Sequence, residues 1–202
     1  MTWQERIQKK IKKHKKKTAT HTMLGAILAL VWMMGLNLMD HVGSASVSKD
    51  PNARVTIGLV GDMMFGRNVE LIGKKYGYEY LFQHIQPYCG QADMMTGNFE
   101  NAITKRKGNY PKADKCIHLN TNPHVAKTLK KVGFKTVNLA NNHMKDYGKK
   151  GLLDTVEAFK KVKVDTVGAG ENIRHASRIS YHTLNGLRVA TVGISDVLPK
   201  SF

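Results

Sequence analysis

Arg54-Val55-Thr56-Ile57-Gly58-Leu59-Val60-Gly61, followed at once by Asp62, is the stretch on which the fold turns. Its β-branched and aliphatic run predicts a buried strand that hands Asp62 to a loop. Working outward, Asp93-Met94-Met95-Thr96-Gly97 reads as a second strand, ending at Asn98-Phe99-Glu100. Lys135-Thr136-Val137-Asn138-Leu139 reads as a third, leading into Ala140-Asn141-Asn142-His143, and residues 164–167 as a fourth. Helices are predicted between them: a short one over 78–85, one over 122–132 and one over 151–161. The second has Pro123 early and Gly133 as its stop, and the third carries Leu152, Thr155, Val156 and Phe159 on one face. Residues 101–117 are polar and read as a long loop. Asn185-Gly186, between the apolar runs 179–184 and 187–194, is a hairpin signal. Strands alternating with helices predict an α/β domain with a largely parallel central sheet and an antiparallel hairpin near the end.

In such sheets, ligands bind beyond the carboxyl ends of the strands. Asp62, Asn98 with Glu100, and Asn142 with His143 each follow a separate predicted strand. Hard oxygen and imidazole donors converging from separate loops are what a divalent cation requires. Each also has a plain structural reading: Asp62 as a helix cap, Glu100 as surface, Asn141-Asn142 as turn residues. If an ion binds, it would polarise a substrate and activate a water, with Arg67 steadying an anionic group and His143 as ligand or orienter of the water. Asp146 could orient His143 or cap the following helix. His118 reads more readily as a structural histidine.

Before this domain, residues 18–39 contain no Lys, Arg, Asp or Glu. At about 1.5 Å per residue they can cross a hydrocarbon core of about 30 Å. Residues 1–17 hold eight of the chain's 32 Lys and Arg and one of its 15 Asp and Glu. The positive-inside rule places that tail in the cytoplasm and the domain outside, on a single-pass protein of the cell membrane. A cleaved signal peptide is the rival, with Gly43-Ser44-Ala45 as an acceptable cleavage site. The longer apolar run and extended basic region favour a retained anchor. The expected layout is a basic tail over 1–17, an anchor over 18–39, a linker over 40–53 and the α/β domain over 54–202.

Beyond the tail, 24 cations still face 14 anions. A domain this basic attracts polyanions, unless its lysines are simply solvated helix faces. The tail suits anionic lipid, and no aromatic or motif pattern accompanies it that would make nucleic acid a partner. Cys89 and Cys116 make no metal or redox pattern, and are either one disulfide or two thiols.

Val60-Gly61-Asp62-Met63-Met64-Phe65-Gly66-Arg67, Gly97-Asn98-Phe99-Glu100-Asn101, residues 138–148 with their Asn-Asn-His-x-x-Asp-Tyr-Gly core, and Val167-Gly168-Ala169-Gly170 together resemble the CapA family. These are capsule-synthesis proteins, also called PgsA, of bacterial poly-γ-glutamate machinery, and they share the basic tail and single anchor. The resemblance implies a calcineurin-like metallophosphoesterase-type sandwich, here incomplete, and a divalent metal site. On it, Asp62 stands for the first metal carboxylate, Glu100 for the second acidic motif, and Asn142-His143 for the Asn-His pair, with Asn98, Asn141, Asp146 and His118 around them. Asp62-Met63-Met64 replaces the Asp-x-His of those enzymes, so one imidazole ligand is absent. Family members also continue further, which implies a truncated, split or fragmentary member. The implied role is an accessory subunit of poly-γ-glutamate synthesis and export, working with the polymer, membrane lipid and other membrane subunits of the synthase complex. The alternatives are a metal-dependent hydrolase acting outside the membrane, or an inactive remnant.

Overall fold

The computed structural model describes residues 1–15, 17–39, 47–104 and 110–197, and it divides into two compact units, 1–45 and 46–202. The expected linker therefore lies partly outside the described residues, as do 105–109 of the expected loop and the last five residues.

In the first unit, α1 (Trp3–Lys15) starts with a capping box: Thr2 N donates to Glu5 Oε2 at 2.8 Å and Glu5 N to Thr2 Oγ1 at 3.4 Å. Helix α2 (Thr18–Met39) follows, with Thr18 Oγ1 donating to Lys15 O. Over Thr18–Leu36 it is long and apolar enough to cross a membrane, and none of that window is buried. Leu24, Leu28, Leu30, Val31 and Trp32 are all exposed around it.

The second unit is built on four parallel strands in the order β1-β2-β5-β6: β1 (Ile57–Met63), β2 (Met94–Phe99), β5 (Thr136–Asn138) and β6 (Asp165–Val167). Two-residue strands β3 (Ala102–Ile103) and β4 (Asn120–Thr121) form a small parallel ladder within the segment expected to be loop. Strands β7 (Ser180–Leu184) and β8 (Leu187–Thr191) form the expected hairpin, with Asn185 and Gly186 at φ 46° and 76°, the pair of positive angles that a type I′ turn demands. Ser180 Oγ donates to Asp165 Oδ2 at 2.6 Å, which fastens the hairpin to the sheet. The α/β class and parallel sheet hold. A second large sheet, which a sandwich would need, is absent among the described residues.

Helix α3 (Arg67–Tyr76) has no counterpart in the sequence reading, and the short helix expected over 78–85 is a 3-10 turn (Tyr78–Phe82) leading to α4 (Gln86–Cys89). Helix α5 (His124–Val132) starts where Asn122 Oδ1 accepts from His124 N at 2.9 Å. It stops at Gly133, whose φ of 109° lets its N–H close on Leu129 O and Lys130 O. Helix α6 (Gly148–Lys161) buries Leu152, Thr155, Ala158 and Phe159. Thr155 Oγ1 accepts from Ile103 N at 2.8 Å, so α6 holds β3 in place. A short α7 (Ile173–Ala176) precedes the hairpin.

The core gathers Met95, Phe99, Val125, Leu129, Phe134, Val137 and Phe159. Phe99, fully buried, meets Phe159 edge-on at 4.8 Å and stacks on Phe65 at 5.9 Å. Cys89 is buried and Cys116 exposed, and both are free thiols, so the disulfide alternative falls.

Asp93 closes the other end of the sheet. Its Oδ2 accepts from Lys49 Nζ at 2.6 Å and from Thr56 N at 2.8 Å, holding the lead into β1 against the start of β2. The Lys49 hydrogen bond, then that of Thr56, holds its carboxyl below the ordinary value.

Truncating Phe99→Ala removes the centre of the aromatic cluster and is expected to cost about 3–5 kcal/mol in denaturant unfolding of the detergent-solubilised chain. The depressed Asp93 pKa contributes stability that is present above the unfolded value of about 3.9 and lost as pH falls through the folded one. Asp93→Asn is therefore expected to lower Tm at neutral pH, and the gap from wild type is expected to close as the solution is acidified.

Candidate functional site

The register of the sheet builds the site. Asp62 pairs with Asn98, and Asn98 with Asn138, so three polar residues form one row across β1, β2 and β5. Asp62 and Asn98 lie inside their strands rather than in loops, which corrects the expected strand ends. Gly61 is the extra residue of a bulge between Val60 and Asp62, and such bulges re-aim the side chains after them.

The row is joined by hydrogen bonds whose direction is forced. A carboxylate only accepts, so Asn98 presents its Nδ2 to Asp62 Oδ1, at 2.8 Å. Asn98 Oδ1 then faces the other way and accepts from Asn138 Nδ2 at 3.1 Å and Asn141 Nδ2 at 3.0 Å. The remaining amide oxygens accept from backbone: Asn138 Oδ1 from Ala140 N at 3.1 Å, and Asn141 Oδ1 from His143 N at 3.0 Å. A fixed polarity thus runs from exposed Asp62 to the loop that carries His143. Gly168 (φ 82°) makes room for it, because a Cβ there would lie 2.9 Å from Asn138 Oδ1.

Beneath that loop sits Asp146, with no exposed surface. Its Oδ2 accepts from Leu119 N at 2.6 Å and faces His143 Nδ1 at 2.8 Å, while its Oδ1 pairs with the Lys115 ammonium. Lys115 also donates to Asn142 O at 2.9 Å. Lys115 Nζ also lies 3.3 Å from the same His143 Nδ1, so the carboxylate and the ammonium meet the ring at one nitrogen and fix its orientation. Asp146 thus lies against the His143 ring, and no side chain caps α6. The neighbouring Tyr147 hydroxyl donates to Asn120 Oδ1 at 3.2 Å. Burial, then the charges of Asp146 and Glu70, push its pKa up, so it stays a donor.

The other expected residues do not all join. Glu100 is held by its backbone, N to Met63 O at 3.2 Å, and no partner to its carboxylate occurs among the described residues. Arg67 is exposed at the start of α3, in a left-handed conformation (φ 54°). His118 Nε2 binds Ala113 O at 2.7 Å and its ring packs edge-on to Tyr147, the structural reading. Among the described residues no three His, Cys, Asp or Glu side chains gather to hold a metal ion, and the groups that converge with Asp62 are amides. The donor set for the expected divalent ion is incomplete within them. Lys115 and Asn101 were not singled out from sequence. Asn101 is fully buried, accepting from Phe65 N at 3.1 Å and donating to Met63 O at 2.8 Å, so it clamps the loop after β1. Nothing in its own polar stretch marks Lys115, whose role comes only from contact with Asp146.

Asp146→Ala strands the Leu119 N–H, His143 Nδ1 and the Lys115 ammonium together, and is expected to cost about 3 kcal/mol in denaturant unfolding. Asp146→Asn, which keeps the shape and an acceptor, is expected to cost less.

Residues 56–201 match the family model described as bacterial capsule synthesis protein PGA_cap. The chain is 42% identical over 198 residues to the capsule biosynthesis protein CapA of Bacillus anthracis, a match covering 97% of this chain and 48% of that relative. It is 37% identical over 203 residues to the PGA biosynthesis protein CapA of Bacillus subtilis (strain 168), covering 100% of this chain and 53% of that one. The chain spans about half the length of the curated relatives it matches. Both matches take in the asparagine row and the Asp146–His143 pair, and the chain belongs to the PGA_cap family of bacterial capsule synthesis proteins.

Proposed function

We propose that this chain is a membrane-anchored component of capsule biosynthesis, and that its domain binds poly-γ-glutamate during synthesis or export. The observation that carries the reading is the charge: 24 cations against 14 anions beyond residue 17, in a chain whose relatives are named for capsule and PGA biosynthesis. A γ-linked polyglutamate carries one carboxylate per residue, so a basic surface attracts it by its summed field rather than by a single contact. Lys145 and Lys149 flank the His143 loop and the start of α6, beside the polar end of the sheet.

Helix α2 supports the anchor, and the basic residues of α1 support an N-terminus in the cytoplasm. The unburied apolar window Thr18–Leu36 favours lipid around it. In this reading the domain lies outside the membrane and works beside other membrane subunits that make and move the polymer.

Binding of the full chain, in detergent, to poly-γ-glutamate is expected to weaken steeply as salt is raised, since exposed charges are screened beyond about 8 Å at 0.15 M. The double reversal Lys145→Glu with Lys149→Glu is expected to weaken it roughly tenfold, about 1.4 kcal/mol, at low salt. Salt-insensitive binding, or none, in a folded protein would overturn the reading.

A further inference from the structure

Helix α3 is turned inside out. At helical spacing Asn68, Leu71, Ile72, Lys75 and Tyr76 share one face, while Glu70 and Gly73 share the opposite one. The structure buries the second face: Glu70 is 6% exposed, against 62% for Leu71, 40% for Ile72 and 53% for Tyr76. An ordinary surface helix does the reverse. Local packing explains the inward side. A Cβ on Gly73 would lie 2.4 Å from Tyr78 Cε1, so only glycine admits that ring, and Lys74 Nζ reaches Glu70 Oε1 at 3.1 Å. It does not explain a leucine, an isoleucine and a tyrosine left in water. The exposed face extends onto the 3-10 turn, where exposed Tyr80 stacks on Tyr76 at 5.0 Å. Lys75 Nζ sits 4.8 Å over the Tyr76 ring, and Arg67 and Lys74 flank the apolar residues.

We propose that this face of α3 docks on an anionic lipid surface, with Leu71, Ile72 and Tyr76 entering the headgroup layer and Arg67 and Lys75 meeting phosphates. The proposal rests on the reading of α2 as an anchor, which would hold the domain at a bilayer. Three features favour lipid over a protein partner. Aliphatic side chains edged by tyrosine and lysine match the chemistry of a membrane interface. Lys75 lies in the middle of the face, where the core of a protein–protein interface is depleted of lysine but a headgroup layer lets it extend to phosphate. A face of this size binds weakly alone, and a tethered domain needs only weak contact, because the anchor supplies a high effective concentration.

The test uses the full chain with Cys116→Ser, carrying a nitroxide on Leu71→Cys or, as the solvent reference, on Lys161→Cys. It is reconstituted in vesicles of phosphatidylcholine with one third phosphatidylglycerol, or of phosphatidylcholine alone. Collisions with oxygen and with a nickel chelate report depth, and alkaline extraction reports the anchor. The expected result is an excess of oxygen over nickel collisions at position 71 but not at 161. That excess is lost in uncharged vesicles and with Arg67→Glu and Lys75→Glu together. An anchored chain whose label at 71 meets nickel as freely as that at 161 overturns the docking and leaves the anchor standing. Protection at 71 that persists without anionic lipid and rises with protein concentration overturns it in favour of a second copy. A chain washed off by alkali refutes the anchor, and the docking falls with it.

Discussion

The Asp62 carboxylate can only accept hydrogen bonds, and the polar end of the domain is arranged around that constraint. It fixes the orientation of the Asn98 amide, which fixes those of Asn138 and Asn141, which in turn fixes where the His143 backbone must lie. An asparagine amide flips at little cost in isolation; here the Asp62 carboxylate at one end and the Ala140 and His143 N–H groups at the other choose the same direction. The Gly61 bulge belongs to the same device, because it brings Asp62 into register with Asn98 after four regular rungs of β1 against β2. Asn141 Nδ2 also donates to Phe99 O, which links the row to a fully buried ring of the core.

A second anchor acts from below. Asp146 lies in the turn before α6, and its two oxygens draw in Leu119, His143 and Lys115. A carboxylate with no exposed surface is tolerated only when it is paired and hydrogen-bonded, and both conditions are met. His143 is thus held twice, by its backbone from the asparagine row and by its ring from Asp146. The imidazole is thereby held in one orientation, with Asp146 and Lys115 both at its Nδ1.

Much of this was legible in the residues. The apolar runs at 57–60 and 94–96 identify the first two strands, and Asn185-Gly186 specifies its turn because both angles must be positive. Gly133 and the apolar face of 151–161 mark helices for equally local reasons. What stayed hidden depends on contacts distant in sequence. The β3–β4 ladder is two residues long on each side and exists because Thr155 of α6 holds Ile103. Lys115 looks like any other lysine until Asp146 lies beside it. Helix α3 carries Leu71, Ile72 and Tyr76 on one face, a stripe that the sequence displays; what the sequence does not display is that this face stays exposed. Glu100 shows the opposite limit. Its place in a motif made it a candidate, but position along the chain does not determine whether a side chain reaches its neighbours.

Pairing within the domain also shapes what it can bind. Lys49 with Asp93, Lys74 with Glu70, Lys115 with Asp146, Lys131 with Glu79 and Lys161 with Glu157 each match one cation to one anion. Such pairs leave the excess of ten positive charges beyond the tail unchanged, and they also remove local acidic groups that would repel a polyanion. The remaining cations are spread over several elements. For a small anion that arrangement is poor, since each exposed contact is screened and worth little. For a long chain of carboxylates it is favourable, because weak contacts add along one molecule while the polymer can slide among them. On the proposed reading, a dispersed basic surface around a rigid polar edge suits a long polyanion better than a single small anion.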